Sequence, residues 1–78
     1  MKVEMDKIVL SAEAKSAVEE LRDRLRQFSR LIKKNQEPET WGEMRADGVL
    51  IVYVRVYSSK GKVEATVEIP ADHWSYKQ

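Results

Sequence analysis

The side chains able to do chemistry are few: one histidine, His73, and no cysteine. A histidine acting as a general base needs an orienting partner and a pocket. A metal needs further ligands around it. His73 stands between Asp72 and Trp74 and shows neither, so it reads as a structural or solvent-facing residue. Glu37, Glu39 and Glu43 gather around one connection, but no pair has a spacing that demands acid–base work. The glycines at 42, 48 and 61 are too scattered to cradle a phosphate, and there is no Gly-x-Ser-x-Gly element. The expectation is a protein that is not an enzyme, with no catalytic residues, no metal site and no cofactor.

Two surfaces remain as candidates for binding. Arg22, Arg26, Arg30 and Lys33 recur at helical spacing and form a cationic stripe on the outward side of a helix, suited to phosphates or an acidic protein surface. Val49, Ile51, Tyr53, Arg55 and Tyr57 share one face of a strand, which is too apolar and aromatic for a fully solvated face. Patches of this kind mark interaction sites.

The helix that carries the stripe spans residues 11–34. Ser11 can cap it, and Ala14, Val18, Leu21, Leu25, Phe28 and Ile32 follow at spacings of 4, 3, 4, 3 and 4. Acidic residues early and basic residues late suit the helix dipole. Asn35 and Pro38 stop it. The seam suits a coiled coil or a sheet; Ala17 and Leu31 widen it, which favours the sheet.

Around the helix the pattern is β. Residues 2–10 read as a strand with a bend at Asp6-Lys7. Residues 41–69 read as an antiparallel meander: a strand over 41–46, an Asp47-Gly48 turn, the strongest strand over 49–57, a turn at 58–61 and a strand over 62–69 ended by Pro70. Residues 70–78 are a short tail. Leu50, Val52, Val54 and Val56 form one apolar face and Val63, Ala65, Val67 and Ile69 another. The two coincide when paired positions sum to an odd number such as 119, which sets Arg55 opposite Glu64. The first hairpin stays open. A two-residue turn puts Met44 on the outer face and Trp41 inside with Arg45; a three-residue turn puts Trp41 outside. The fold class is α+β, a two-layer sandwich of one long amphipathic helix on three or four antiparallel strands in the order β-α-β-β-β, forming a single small domain over 1–78.

Length and charge narrow the function. A chain of 78 residues buries only about 60–65% of its unfolded surface, so association is a common remedy. Its net charge of +1 is divided, with +3 on residues 11–34 and −2 on residues 35–78. That is far less basic than a typical nucleic-acid-binding domain. No apolar run reaches the roughly 18 residues of a membrane span, and no signal peptide is evident, so the expectation is a cytoplasmic protein with no membrane partner.

Leu10-Ser11-Ala12-Glu13-Ala14, followed by an amphipathic helix and a basic-aromatic strand, resembles in part the small bacterial toxins of the RelE/ParE family. That resemblance implies a helical pair on a β-meander and mRNA cleavage by basic and aromatic residues, here Arg45, Arg55, Tyr57 and His73. The second helix of the family has no counterpart in this chain. The residues themselves favour another function: a small non-enzymatic interaction protein, a homodimeric regulator or inhibitor that binds itself, another protein or both. An origin on a phage or other mobile element suits such a regulator. Its partner-binding residues would be Val49, Ile51, Tyr53, Arg55, Tyr57 and Trp41, with Arg22, Arg26, Arg30 and Lys33. The alternative is a nucleic-acid-binding protein or RelE/ParE-like toxin using the basic stripe.

Overall fold

A computed structural model of the chain describes residues 1–29, 37–58 and 61–78, apart from the side chains of Phe28, Ser29 and Ser58. The expected helix end over 30–34, the stop at Asn35, the cations Arg30 and Lys33, the seam side chains Phe28 and Ile32 and residues 59 and 60 of the second turn lie outside that description.

One helix, α1 (Ala12–Ser29), packs on a four-stranded antiparallel sheet. The sheet is built from β1 (Lys2–Val3), β3 (Glu39–Met44), β4 (Leu50–Ser58) and β5 (Gly61–Ile69), in the order β1-β3-β4-β5. A second sheet of two short strands, β2 (Ile8–Leu10) and β6 (Trp74–Tyr76), closes one end.

The central hairpin follows the apolar pattern. β4 pairs with β5 so that Val52 faces Val67, Val54 faces Ala65 and Arg55 faces Glu64. This register puts both apolar rows on one face, and one residue of slip would turn them to solvent. Leu50, Val52 and Val54 are 0% exposed. Burying side chains of this size contributes about 1.5–3 kcal/mol each. Leu21 and Leu25 of α1 cover the row formed by Val54, Val56, Val63 and Ala65. Ala14 and Val18, a few turns earlier, cover Leu50, Val52 and Ile69 together with Val3 and Ile8.

Local chemistry places α1. Ser11 caps it: its Oγ accepts from the Ala14 N–H at 3.1 Å, and its carbonyl accepts the first helical bond from Lys15 at 2.8 Å. The same residue joins the helix to the chain end, because the Ser11 N–H donates to the His73 carbonyl at 2.8 Å.

Both ends of the chain differ from expectation. Residues 2–10 are not one strand. A 3-10 turn over Met5–Lys7 splits them, so β1 pairs with β3 while β2 pairs with β6. The bend expected at Asp6-Lys7 is therefore a change of sheet. The stretch 70–78 is not a plain tail: a 3-10 turn over Ala71–His73 leads into β6, which pairs Leu10 with Trp74 and Ile8 with Tyr76. Trp74 packs on the core, and its Nε1–H donates to the Gly48 carbonyl at 2.9 Å. An aromatic in a polar segment gained its burial from partners far away in sequence.

The first hairpin takes the three-residue turn. Arg45 N–H donates to the Val49 carbonyl at 3.0 Å, and Gly48 N–H donates to the Arg45 carbonyl at 3.1 Å. Gly48 has φ +87°, a conformation that glycine adopts without strain. Trp41 is therefore opposite Tyr53 and outside, while Met44 opposite Leu50 is inside. β3 runs over 39–44 rather than 41–46. Gly42 is buried opposite Val52, where a Cβ would stand 3.0 Å from Leu50 Cδ1 and 3.3 Å from Met5 Sδ. The missing side chain lets Met5 and β1 settle on the core.

Leu25→Ala should lower unfolding free energy by about 2–5 kcal/mol in denaturant titrations, because it empties a site with little freedom to collapse. A loss under about 1 kcal/mol would mean that the helix seam points elsewhere.

Candidate partner-binding face

Among the described residues, α1 and the β2–β6 pair lie on the same side of the main sheet, and nothing covers the other side. Strand alternation puts Lys2, Glu39, Trp41, Glu43, Ile51, Tyr53, Arg55, Tyr57, Lys62, Glu64, Thr66 and Glu68 on that outer face. At its centre the directly opposed Trp41 and Tyr53 stack, with centroids 5.2 Å apart and planes 5° from parallel. Arg55 Cζ lies 4.8 Å and Lys2 Nζ 5.5 Å from the Trp41 ring centroid. Cations so placed are drawn to the negative face of the indole.

Hydrogen bonds hold these groups in position. Tyr53 OH donates to Glu43 Oε2 at 3.0 Å. Arg55 Nε donates to Glu64 Oε2 at 2.9 Å, and its Nη1 donates to Tyr57 OH at 3.4 Å. At the hairpin end Arg45 bridges Asp47 and Glu68, at 2.7 and 3.1 Å. The environment shows in the ionisation. The hydrogen bond to Glu43 raises the Tyr53 phenol above its ordinary value, since the carboxylate favours the protonated form. Bonds to Tyr57 and Glu64 likewise raise Arg55, which stays charged. The Val49 N–H, then Arg45, lowers Asp47.

Of the residues expected to bind a partner, Trp41, Ile51, Tyr53, Arg55 and Tyr57 are brought together on this face. Val49, just before β4, lies half-buried at the edge of the patch. Beside Trp41, between β1 and β3, is an open cleft of about 510 Å³ whose rim includes Lys2, Glu4, Asp6 and Glu39. Lys2, Glu43 and Glu39 were missed as members of the site. Lys2 arrives only through the β1–β3 pairing, which no local pattern announces. Glu39 and Glu43 were read with Glu37 as a cluster around the connection, although Glu43 lies in the expected strand and two-residue alternation from Trp41 places both beside it.

Of the expected cationic stripe, Arg22 and Arg26 are described, and both are engaged within the chain. Arg22 is half-buried and turns toward β3, where its Nη1 donates to Thr40 Oγ1. Arg22 Nη2 and Arg26 Nη2 both meet Glu37 Oε2, at 3.3 and 2.9 Å, and Arg26 also pairs with Asp23 at 2.7 Å. The hydrogen bond from Arg26 lowers Glu37 below the usual carboxylate range. These two arginines tie the segment before β3 to the helix. Arg30 and Lys33 lie outside the described residues.

The four residues implied by the toxin resemblance do not converge. Arg55 and Tyr57 lie on the outer face, and Arg45 stands at the hairpin base. His73 is on the helix side, its Nδ1 2.9 Å from the Ser11 hydroxyl that caps α1. Asp72 Oδ1 stands 4.0 Å from the other ring nitrogen, but it is well exposed, and the Ser11 oxygen is engaged with Ala14. No group of three or more His, Cys, Asp or Glu side chains is placed to hold a metal among the described residues. Among the same residues, no helix is long and apolar enough to cross a membrane. Comparison with family models, with curated proteins and with solved structures finds no match for this chain.

Tyr53 provides a pH test of the site. Its folded-state value is raised, so the bond to Glu43 contributes fully below the phenol's ordinary value near 10 and is lost as pH rises through the raised value. Tyrosinate absorbance should show one tyrosine ionising above the ordinary range, and Glu43→Gln should bring it back. An unchanged titration in Glu43→Gln would show that the bond does not form in solution.

Proposed function

We propose that this protein is a non-enzymatic interaction module, a regulator or inhibitor that engages a partner protein through the outer face of its sheet. The observation that carries this reading is the Trp41–Tyr53 stack, flanked by Arg55 and Lys2, on a face that no described element covers. Tryptophan, tyrosine and arginine are the residue types enriched at binding hot spots. Stacking and hydrogen bonding within the chain restrain these side chains before a partner arrives, which reduces the entropy cost of association. Ile51 adds an apolar contact, and the acidic cleft beside Trp41 suits a lysine or arginine of the partner.

Charge separates this reading from a nucleic-acid interface. Glu39, Glu43, Glu64 and Glu68 share the outer face with Lys2, Arg55 and Lys62. Arg45 and Asp47 join them at the hairpin end, so among the described residues the face has no cationic excess, and a phosphate backbone would meet repulsion at each carboxylate. Arg22 and Arg26 on the helix are already committed to Glu37.

Two measurements test the proposal. Wild-type protein and Trp41→Ala, immobilised side by side, should differ in what they retain from a lysate of the source cell: a stoichiometric protein held by the wild type should be lost from Trp41→Ala and kept by a helix-side variant, Gln27→Ala. Retention by all three would remove the outer face from the function. Titration with single-stranded RNA and duplex DNA should show weak association that disappears by physiological salt. Salt-resistant, submicromolar binding would move the protein to the nucleic-acid class.

A further inference from the structure

The two edges of the main sheet are treated very differently. At one edge, β1 is only 2 residues long. At the other, β5 runs for 9 residues, and its pairing to β4 continues without a bulge from Ile69 to Gly61. No strand lies beside its far side among the described residues. Long, regular edges are templates for further pairing, which proteins usually prevent with inward charges, bulges or short strands. β5 has no bulge and no inward charge: its inward residues are Val63, Ala65 and Val67, all half-buried, and its charges, Lys62, Glu64 and Glu68, stand on the outer face. Only Pro70, just past its end, interrupts the edge.

The hydrogen-bonding groups that face this edge are identifiable. Arg45 N–H donates to the Val49 carbonyl, and Arg45 is opposite Val49 when the β3–β4 register is continued. Bonded pairs alternate along an antiparallel ladder. The odd-numbered residues of β4 therefore bond to β3, and the even-numbered ones bond to β5, where their partners are Val63, Ala65 and Val67. The N–H and C=O groups of Lys62, Glu64, Thr66 and Glu68 consequently turn to the open edge.

We infer that a second copy of this chain pairs along β5, antiparallel about a two-fold axis at Ala65, to give one continuous sheet across the dimer. Charge and strand length together select that register, since an axis at Val63 also opposes Lys62 to Glu64 but pairs only residues 61–65. A two-fold axis at Glu64 sets Glu64 against its own copy, and an axis at Thr66 sets Glu64 against Glu68; both oppose like charges, which is destabilising. An axis at Ala65 sets Lys62 against Glu68 of the second copy, twice by symmetry, and Glu64 against Thr66. On the inner face it sets Val63 against Val67, with the small Ala65 at the axis. It uses the full strand, and the pairs that exchange backbone bonds are those whose groups face the edge. A groove of about 210 Å³ between α1 and β5, lined by Ala17, Leu21 and Val67 with Glu20 and Arg24 of opposite charge at its rim, would be closed by its symmetry mate. A symmetric contact of this kind closes on itself rather than propagating. It leaves both outer faces uncovered, and so does not depend on what they bind.

The test is mass in solution by sedimentation at micromolar concentration, with circular dichroism on each variant. Wild-type protein should sediment as two chains. Thr66→Pro removes an N–H that faces the edge and not β4, so it should sediment as one folded chain; proline is tolerated in an edge strand at such a position. Lys62→Glu should weaken the dimer, and adding Glu68→Lys to it should restore the dimer, an outcome that holds even if the proline variant fails to fold. Tyr53→Ala should remain dimeric. A single-chain mass for the wild type across the micromolar range would overturn the inference, as would a folded, dimeric Thr66→Pro, a Lys62→Glu/Glu68→Lys double variant no better than the single, or loss of the dimer in Tyr53→Ala.

Discussion

Leu50, Val52 and Val54 are shut off from water on the central strand, and the other elements can be understood by how they keep them so. β3 and β5 shield β4 laterally, and α1 lies over the apolar rows of β4 and β5. The remaining opening, at the end near Leu50 and Ile69, is closed by Ile8 and Trp74. Packing there is tight: a Cβ on Gly42 would press on Leu50 Cδ1 and Met5 Sδ, which would have to give by a few tenths of an ångström. In a chain this short such a closure matters, because little apolar surface is in reserve.

Because one helix can cover only one side of a four-stranded sheet, the other side must be made compatible with water by its own residues. Here that is done by lateral contacts within the face: Trp41 on Tyr53, Tyr53 to Glu43, Arg55 to Glu64 and Tyr57. Exposed ion pairs of this kind add little to stability. Their effect is to hold large side chains in one arrangement, which is also what a binding surface requires. Stability and recognition thus draw on the same residues: the aromatic pair that joins β3 to β4 is the centre of the proposed interface. Among the described residues no strand lies beside the far side of β5, and in the proposed dimer its selectivity would come from which charges oppose each other.

Much of this was legible because it is periodic. The alternation of valines in 50–56 and 63–69, with Arg55 set opposite Glu64, is enough to obtain the β4–β5 register. The spacing of Ala14, Val18, Leu21 and Leu25 is enough to place the helix over it. The aromatic outer face of β4 followed from the same parity. Other features carried no periodic signal. The Asp47-Gly48 dipeptide admits turns of two or three residues, and only the bond from Arg45 to Val49 decides that Trp41 is outside. Lys2 joins Trp41 through a pairing of strands distant in sequence, and Trp74 is recruited to the core from a segment too short and polar to read as a strand.

By itself, then, the sequence determined the α+β class, the central hairpin and its register, and the residues of α1 that face it, since each is a repeat whose period matches its own element. Only the tertiary structure decided which way the first hairpin turns, that the two ends of the chain pair with each other, and that Arg22 and Arg26 turn to Glu37 instead of lining an outward stripe. The physical reason is the same in all three cases. A period records which side of an element is apolar, but a hydrogen bond or ion pair between residues far apart in the chain depends on where folding brings their atoms.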